Sequence, residues 1–211
     1  MGPDGRLLRG ERTRVAVLDQ ALQLATTAGL DGLSLSQVAD SLGVSKSGLF
    51  AHWRSKEDLQ LAVIAHARAQ WTELVISPAL EEPRGLRRLW AVHNLRLNFY
   101  EAEILPGGCF FANAHFEFNA RTGAVRDRLT VELKDWMGFL TSLAADAVAL
   151  GELEAGTDPA DIAYQTESVG VCAVVQAPVL GAAATYRHAR RALFDHLRAV
   201  TTDPTILPEP T

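Results

Sequence analysis

The residues of this chain whose types and spacing suit them to chemistry are Lys46, Ser47, Gly48 and His52 on the outward side of one short helix, with Ser34, Ser45 and Ser55 at helix starts. The chemistry they suit is hydrogen bonding and charge pairing rather than bond making. A lysine can donate to the O6 and N7 of guanine, and a serine can bond to base edges or phosphate oxygens. Such contacts require a short helix that enters a major groove, held by a second helix and a tight turn. The local sequence spells out that arrangement. Ser34-x-x-Gln37 has capping-box spacing, the hydroxyl accepting from the Gln37 amide while Gln37 reaches back. Val38, Ala39 and Leu42 give the first helix its buried face, and Gly43 ends it, because glycine tolerates the left-handed conformation of a C-terminal cap. In Leu42-Gly43-Val44-Ser45, Gly43 bends the chain, Val44 is expected to plug inward and Ser45 restarts a helix. The second helix turns Lys46, Ser47, Gly48, Ala51 and His52 outward and buries Leu49 and Trp53, its small residues letting it lie deep in a groove. Ser55 then caps a further helix, with Asp58 near its positive end.

The elements that must position these residues are all helical, and no alternating strand or internal repeat is present. Val15, Leu18, Leu22 and Ala25 predict a first helix ending near Gly29. The helix after Ser55 runs through Leu59, Val63, His66, Ala67 and Trp71 and is expected to stop before Pro78. Pro83 suits the first turn of the next helix. That helix carries Leu86, Trp90, His93 and Leu97 on one face and Val92, Leu95 and Phe99 on another, as a helix buried on two sides does. Pro106-Gly107-Gly108 interrupts the pattern. Helices over about 110–119 and 123–150 follow, the second with Val125, Leu129, Leu133, Trp136, Leu140, Leu143 and Ala147 in a 3–4 spacing. Asp158-Pro159 starts another that ends around 178–181, and a last helix covers roughly 183–200. Three prolines after position 200 predict a loose tail.

Charge distribution agrees with the placement of the motif. The 211 residues carry a formal net charge of -5, with 48% hydrophobic and 21% charged residues, values of an ordinary globular chain. Residues 1–56 hold 7 Lys+Arg against 5 Asp+Glu, a balance of +2, and residues 57–211 hold 13 against 20, a balance of -7. An anion-binding surface therefore belongs near the N-terminus. The basic segment Arg6, Arg9, Arg12 and Arg14 is a further candidate for DNA contacts in a minor groove. No apolar run is long enough to span a bilayer and the first ten residues lack a signal-peptide core, so a cytoplasmic protein without a membrane partner is expected. Cys109 and Cys172 fit no metal or disulfide spacing, and His93, Cys109 and His115 match no known metal pattern. Cys109 follows Gly107-Gly108 at a helix start, where a thiol can be acidified and sense redox state. Nucleophile-elbow, P-loop, dinucleotide and zinc motifs are absent. His115 and Glu117 lie two residues apart and do not share a helix face. The expectation is no catalytic residue, no metal, no cofactor and no enzymatic activity.

The stretch GLDGLSLSQVADSLGVSKSGLFAHWRSKEDL resembles the N-terminal domain of the tetracycline-repressor (TetR) family. Gly29-Leu30-Asp31-Gly32-Leu33 is similar to that family's turn between its first two helices. Val38-Ala39 and Leu42-Gly43-Val44-Ser45 match its helix-turn-helix turn. Gly48-Leu49-Phe50-Ala51-His52-Trp53 resembles its Gly/Thr-Leu-Tyr-x-His-Phe recognition helix, and Ser55-Lys56 its fourth-helix start. Two positions depart: Phe50 replaces tyrosine, losing a phosphate-directed hydroxyl, and Trp53 replaces phenylalanine as a larger core plug. The resemblance implies phosphate contacts for Ser34, Ser45, His52 and Lys56, and base-edge contacts for Lys46 and Ser47, with Ser36 and the outward positions Gly48 and Phe50 beside them.

The resemblance also implies an all-α fold of about nine to ten helices. A helix-turn-helix DNA-binding domain would occupy 1–56, with the fourth helix from 56 linking to the body. A ligand-binding and dimerisation domain would occupy 57–200, and a flexible tail 201–211. The implied function is a DNA-binding transcriptional regulator, a repressor released from a palindromic operator by a small lipophilic or aromatic effector. The alternative is a DNA-binding regulator without small-molecule control, or an activator. A homodimer is expected independently, because one recognition helix reads too few base pairs and a two-fold pair reads two half-sites. The 123–150 and 158–180 helices are the interface candidates, the second being rich in Ala163, Ser168, Gly170, Ala173 and Ala177. Aromatic residues with interspersed polar groups concentrate between Trp90 and Met137, as in a ligand pocket. The candidate effector residues are Trp90, His93, Phe111, His115, Trp136, Met137 and Gln176.

Overall fold

The computed structural model describes residues 3–50 and 52–210, with side chains from Thr13 onward. Ala51 and the side chains of Arg6, Arg9 and Arg12 lie outside the described residues. Regular structure among the described residues is helical, apart from one antiparallel bridge between Leu153 and Thr201. The chain forms two compact units: Met1–Gln70 with Leu105–Thr130, and Trp71–Ile104 with Val131–Thr211.

The first unit contains α1 (Pro3–Ala28), α2 (Leu35–Leu42), α3 (Lys46–Phe50), most of α4 (Lys56–Trp71), α7 (Phe110–Phe118) and the start of α8 (Ala124–Ala149). Helix α1 begins well before the expected stripe. Its buried face is Val17, Leu18, Ala21, Leu22 and Ala25, whereas Val15 is 46% exposed. Rotating the stripe to this face adds Val17 and Ala21 at helical spacing, which covers more apolar area than a stripe begun at Val15. Leu30, Leu33, Leu35, Val38, Ala39, Leu49, Trp53, Leu59, Val63 and Ile64 are buried, as are Phe110, Ala114 and Phe118 of α7.

The second unit contains a π-helical turn (Thr72–Ile76), α5 (Ser77–Leu80), α6 (Leu86–Glu101), the rest of α8, α9 (Pro159–Leu180) and α10 (Ala182–Val200). The helix expected to stop before Pro78 continues past it. The π turn sends the Ser77 amide to the Thr72 carbonyl, and Pro78 then falls at the start of a new helical register. A proline there lacks only an N–H that had no partner to lose. Helix α6 starts at Leu86 rather than at Pro83, because Gly85 adopts φ 106 and the Leu86 amide is capped across the unit by Glu152 Oε2 at 2.6 Å. Leu86, Leu89, Trp90 and Val92 of α6 pack with Leu140, Leu143, Ala144 and Ala147 of α8, Ile162 and Ala163 of α9, and Leu193, Phe194 and Leu197 of α10. The segment after Val200 packs rather than hanging loose: Leu207 joins this core, and Glu209 accepts from Arg198 at 2.7 Å. One buried leucine supplies about 1.5–3 kcal/mol of transfer free energy, enough to hold a short prolyl segment.

Candidate nucleic-acid interface and buried polar cluster

The turn that presents α3 is built by backbone hydrogen bonding. Ser34 stands in extended conformation at the N-cap of α2 and accepts the Gln37 amide at 3.2 Å, while its own hydroxyl donates to Gln37 Oε1 at 3.0 Å. At the other end Gly43 takes φ 64, ψ 27, and the Val44 amide closes on the Ala39 carbonyl at 3.1 Å. This satisfies a carbonyl that the helix end would otherwise leave open. Val44 does not plug inward and is 41% exposed. Its amide is committed to the cap, and the interior below is occupied by Val38, Ala39, Leu49 and Trp53.

The predicted DNA-facing residues then fall as follows. Ser45, Lys46, Ser47, Gly48, Phe50, His52 and Lys56 are exposed, and Ser34 and Ser36 are half-buried. Ser45 Oγ accepts from the Gly48 amide and the Ser47 hydroxyl, each at 3.3 Å, so two of these groups are already arranged on α3. Phe50, 50% exposed, has no polar atom to offer and presents only a ring. His52 leans on the buried Trp53 at 5.6 Å between centroids, and the Arg14 guanidinium of α1 lies over the Trp53 ring at 5.9 Å. Ser55 Oγ accepts from the Asp58 amide at 3.0 Å, which fixes the start of α4.

A second set of contacts in this unit lies far apart in sequence. Glu117 of α7 accepts the amides of Leu30 and Asp31 at 2.8 and 3.0 Å, holding the α1–α2 turn with one carboxylate. Gly29, at φ 85, makes this approach feasible: a Cβ there would stand 2.7 Å from Glu117 Oε1. Arg121 pairs with Asp31 Oδ2 at 2.8 Å, and Lys56 Nζ reaches both the Asp31 carbonyl and, at 3.6 Å, its Oδ1. The Arg121 guanidinium first, and Lys56 after it, hold the Asp31 carboxyl below its ordinary range. Asn113 Nδ2 donates to the Thr26 and Gly107 carbonyls at 3.2 and 2.9 Å, and the buried Gln60 amide donates to the Leu30 carbonyl at 2.8 Å. Sequence reasoning did not find Glu117, Arg121 or Asp31 in these roles. Their separations of 86 and 87 residues leave no local spacing to read.

The candidate effector residues are divided between the units. Phe111 and His115 are half-buried on α7 in the first. Trp90, His93, Trp136, Met137 and Gln176 belong to the second. Trp90 stacks on His93 at 5.8 Å, and Trp136 and Met137 pack against the same apolar core. Gln176 is exposed on α9 and lines a groove of about 430 Å³ with Cys172 and, from α10, His188. Two residues absent from the sequence-derived set complete a buried polar cluster. Arg96, 1% exposed, donates to Glu167 Oε2 at 2.8 Å, and the Trp136 indole donates to the same oxygen at 2.6 Å. Gly170 leaves room for Arg96, since a Cβ there would overlap the guanidinium. His93 is fully buried and neither ring nitrogen has a hydrogen-bond partner of normal geometry, although the Ala189 carbonyl acts weakly on the ring. Burial, with the Arg96 charge second, pushes its pKa down to about 3, so the imidazole is neutral. Among the described residues, no group of three or more His, Cys, Asp or Glu is placed to hold a metal ion. No helix among them is long and apolar enough to cross a membrane.

Comparison with known proteins places the chain among relatives along most of its length. Residues 17–63 match the family described as bacterial regulatory proteins, tetR family, and residues 85–193 match the tetracyclin repressor-like C-terminal domain. The HTH-type transcriptional regulator SrpR of Pseudomonas putida is 25% identical over 170 residues, covering 76% of this chain and 70% of its own. A TetR transcriptional regulator from Chloroflexus aurantiacus J-10-FL superposes with a TM-score of 0.84 at 24% identity, covering 92% of this chain and 98% of its own. AibR, solved in complex with isovaleryl coenzyme A and operator DNA, superposes with a TM-score of 0.68 at 20% identity, covering 84% of this chain and 95% of its own.

Proposed function

Because the chain belongs to the TetR family of bacterial transcriptional regulators, we propose that it is a homodimeric repressor, released from a palindromic operator by a small lipophilic or aromatic effector. The observation that carries the DNA half of this reading is the exposed Lys46–Ser47 edge of α3, held forward by the Gly43 cap. Lys46 and Ser47 are assigned to base edges, and Ser34, Ser45, His52 and Lys56 to phosphates, with Ser36, Gly48 and Phe50 in the same surface. In this assignment residues 1–56 read DNA, 57–200 dimerise and hold the effector, and the terminal segment from 201 serves neither role.

Exposed apolar side chains support the dimer. Tyr164, Val175, Val179 and Leu180 of α9 and Val131 and Leu133 of α8 are all large, hydrophobic and solvent-facing in a single chain. Covering such a surface with a second copy satisfies it by two-fold symmetry. The effector reading is supported by the buried polar cluster of α6. Trp90 stacks on a neutral His93 that can donate from one nitrogen and accept at the other, and Trp136 and Met137 pack on the apolar core that Trp90 belongs to. Effector binding then favours a dimer whose recognition helices no longer fit half-sites about 34–36 Å apart, with a coupling of roughly 1–3 kcal/mol.

The direct test is an operator titration with wild type and Lys46→Ala. The variant should bind its operator about 5–150-fold more weakly, the range of a lost base contact, and discriminate less at one base pair. Equal affinity and equal base preference would overturn the role of Lys46.

A further inference from the structure

We propose that Arg121, in the segment that follows α7, is a positioning residue for DNA binding: by pairing with Asp31, and seated by the Glu117 clamp, it frees Lys56 to meet a phosphate. The inference rests on the assignment of Lys56 as a phosphate contact and adds a control on that contact from a segment outside the helix-turn-helix.

Three observations carry it. Lys56, Asp31 and Arg121 form one exposed chain of charges, each between 42% and 48% exposed, in which one carboxylate faces two cations. The geometry is unequal: Arg121 lies 2.8 Å from Asp31 Oδ2, while Lys56 stands 3.6 Å from Oδ1. The carboxylate is thus better paired with Arg121, and Lys56 is held chiefly through the Asp31 carbonyl, a neutral acceptor. The position of Asp31 is not left to chance, because Glu117 accepts its amide and that of Leu30, and Gly29 allows the approach. Arg121 lies just past the end of α7 and donates to the Glu117 carbonyl at 3.2 Å, which ties the cation to the clamp residue. Removing the Arg121 charge leaves Asp31 with Lys56 as its remaining counter-ion, and a lysine neutralised in this way contributes less to counterion release from DNA. The depressed Asp31 pKa, attributed first to Arg121, agrees with that order of pairing.

The test measures operator affinity and its salt dependence for the full chain carrying Arg121→Gln, Asp31→Asn, both together, Arg121→Lys and Lys56→Gln. Arg121→Gln should weaken binding by about three- to fivefold per protomer, the scale of one exposed ion pair, and flatten the log–log salt slope by about 1 per protomer. The double variant Arg121→Gln with Asp31→Asn should recover the affinity and slope of Asp31→Asn alone, and Arg121→Lys should keep most of the wild-type slope. A thermal midpoint unchanged in Arg121→Gln separates the charge effect from folding. If Lys56→Gln leaves affinity and slope unaltered, the phosphate assignment fails and the proposal falls with it. If Lys56→Gln weakens binding but Arg121→Gln does not, or if Asp31→Asn fails to rescue Arg121→Gln, the phosphate assignment stands and the control by Arg121 is refuted.

Discussion

Replacing His93 with leucine should make the protein more stable, and increasingly so as the pH falls. His93 is fully buried against Trp90, and neither ring nitrogen has a partner of normal geometry. A buried polar group without a partner costs about 1–3 kcal/mol, whereas an apolar residue of similar volume costs less than about 1.5 kcal/mol in repacking. Near pH 8 the net expectation for His93→Leu is a gain of about 0–2 kcal/mol. Acid adds a second effect. The native pKa of His93 is about 3, below the roughly 6.5 of an unfolded histidine. The unfolded chain therefore binds a proton that the folded chain refuses, and wild-type stability contributed by this group is lost as pH falls below about 6.5. From pH 8 to pH 5 that loss is about 2 kcal/mol, at 1.36 kcal/mol per pH unit below about 6.5. His93→Leu has no such proton to take up, so its advantage should widen by about 2 kcal/mol over the same interval. Urea unfolding of both proteins at pH 8 and pH 5, at one fixed protein concentration, measures this. A variant less stable than wild type at pH 8 by more than about 1.5 kcal/mol, with an unchanged pH dependence, would show that the ring is well hydrogen-bonded and refute the reasoning.

Gly170→Ala should destabilise the protein by about 1–3 kcal/mol, because the new Cβ overlaps the buried guanidinium of Arg96 and pushes it off its pairing with Glu167. Gly138→Ala on α8, where nothing lies within 4 Å, should be neutral or stabilising in the same thermal melt, and equal effects at the two sites would remove the packing argument. Val175→Asp on the exposed face of α9 should shift a dimer toward monomer and weaken operator binding. Sedimentation at micromolar concentration checks it, and an unchanged mass would exclude this face from the interface.

The parts of the fold legible in the sequence are those governed by neighbours in the chain. Ser34, Gly43 and Ser55 act within four or five residues of themselves, so their spacing alone identified two caps and the turn between α2 and α3. Hydrophobic periodicity located α7, α8 and α10 to within a residue or two for the same reason. What escaped was long-range or exceptional. The start of α6 depends on a carboxylate 66 residues away, which a local proline rule cannot include. Helix continuation through Pro78 depends on a π turn that shifts the hydrogen-bond register by one residue. Effector residues were read from composition, and composition does not distinguish Trp90 in a closed core from Gln176 on an open groove.

The same contrast bears on how an acidic chain binds an acidic polymer. The first 56 residues carry a charge balance of only +2. Among the described side chains, the exposed cations around the motif are Lys46 on α3, Arg54 before α4, Lys56 at its start, Arg14 lying over Trp53, and Arg121 paired with Asp31. Non-specific affinity grows with the number of phosphates neutralised, each adding about 0.9 to the salt slope. In the proposed assignment this low charge balance makes each phosphate-directed cation count, and base-edge contacts with two-fold spacing supply the sequence selection. Phe50 reduces phosphate contact further, because it offers no hydroxyl at an exposed position. Under those conditions the state of any one cation has leverage. A single carboxylate, Asp31, standing between Lys56 and Arg121 can then shift operator affinity measurably, whereas on a strongly basic DNA-binding surface the same ion pair would be lost among many.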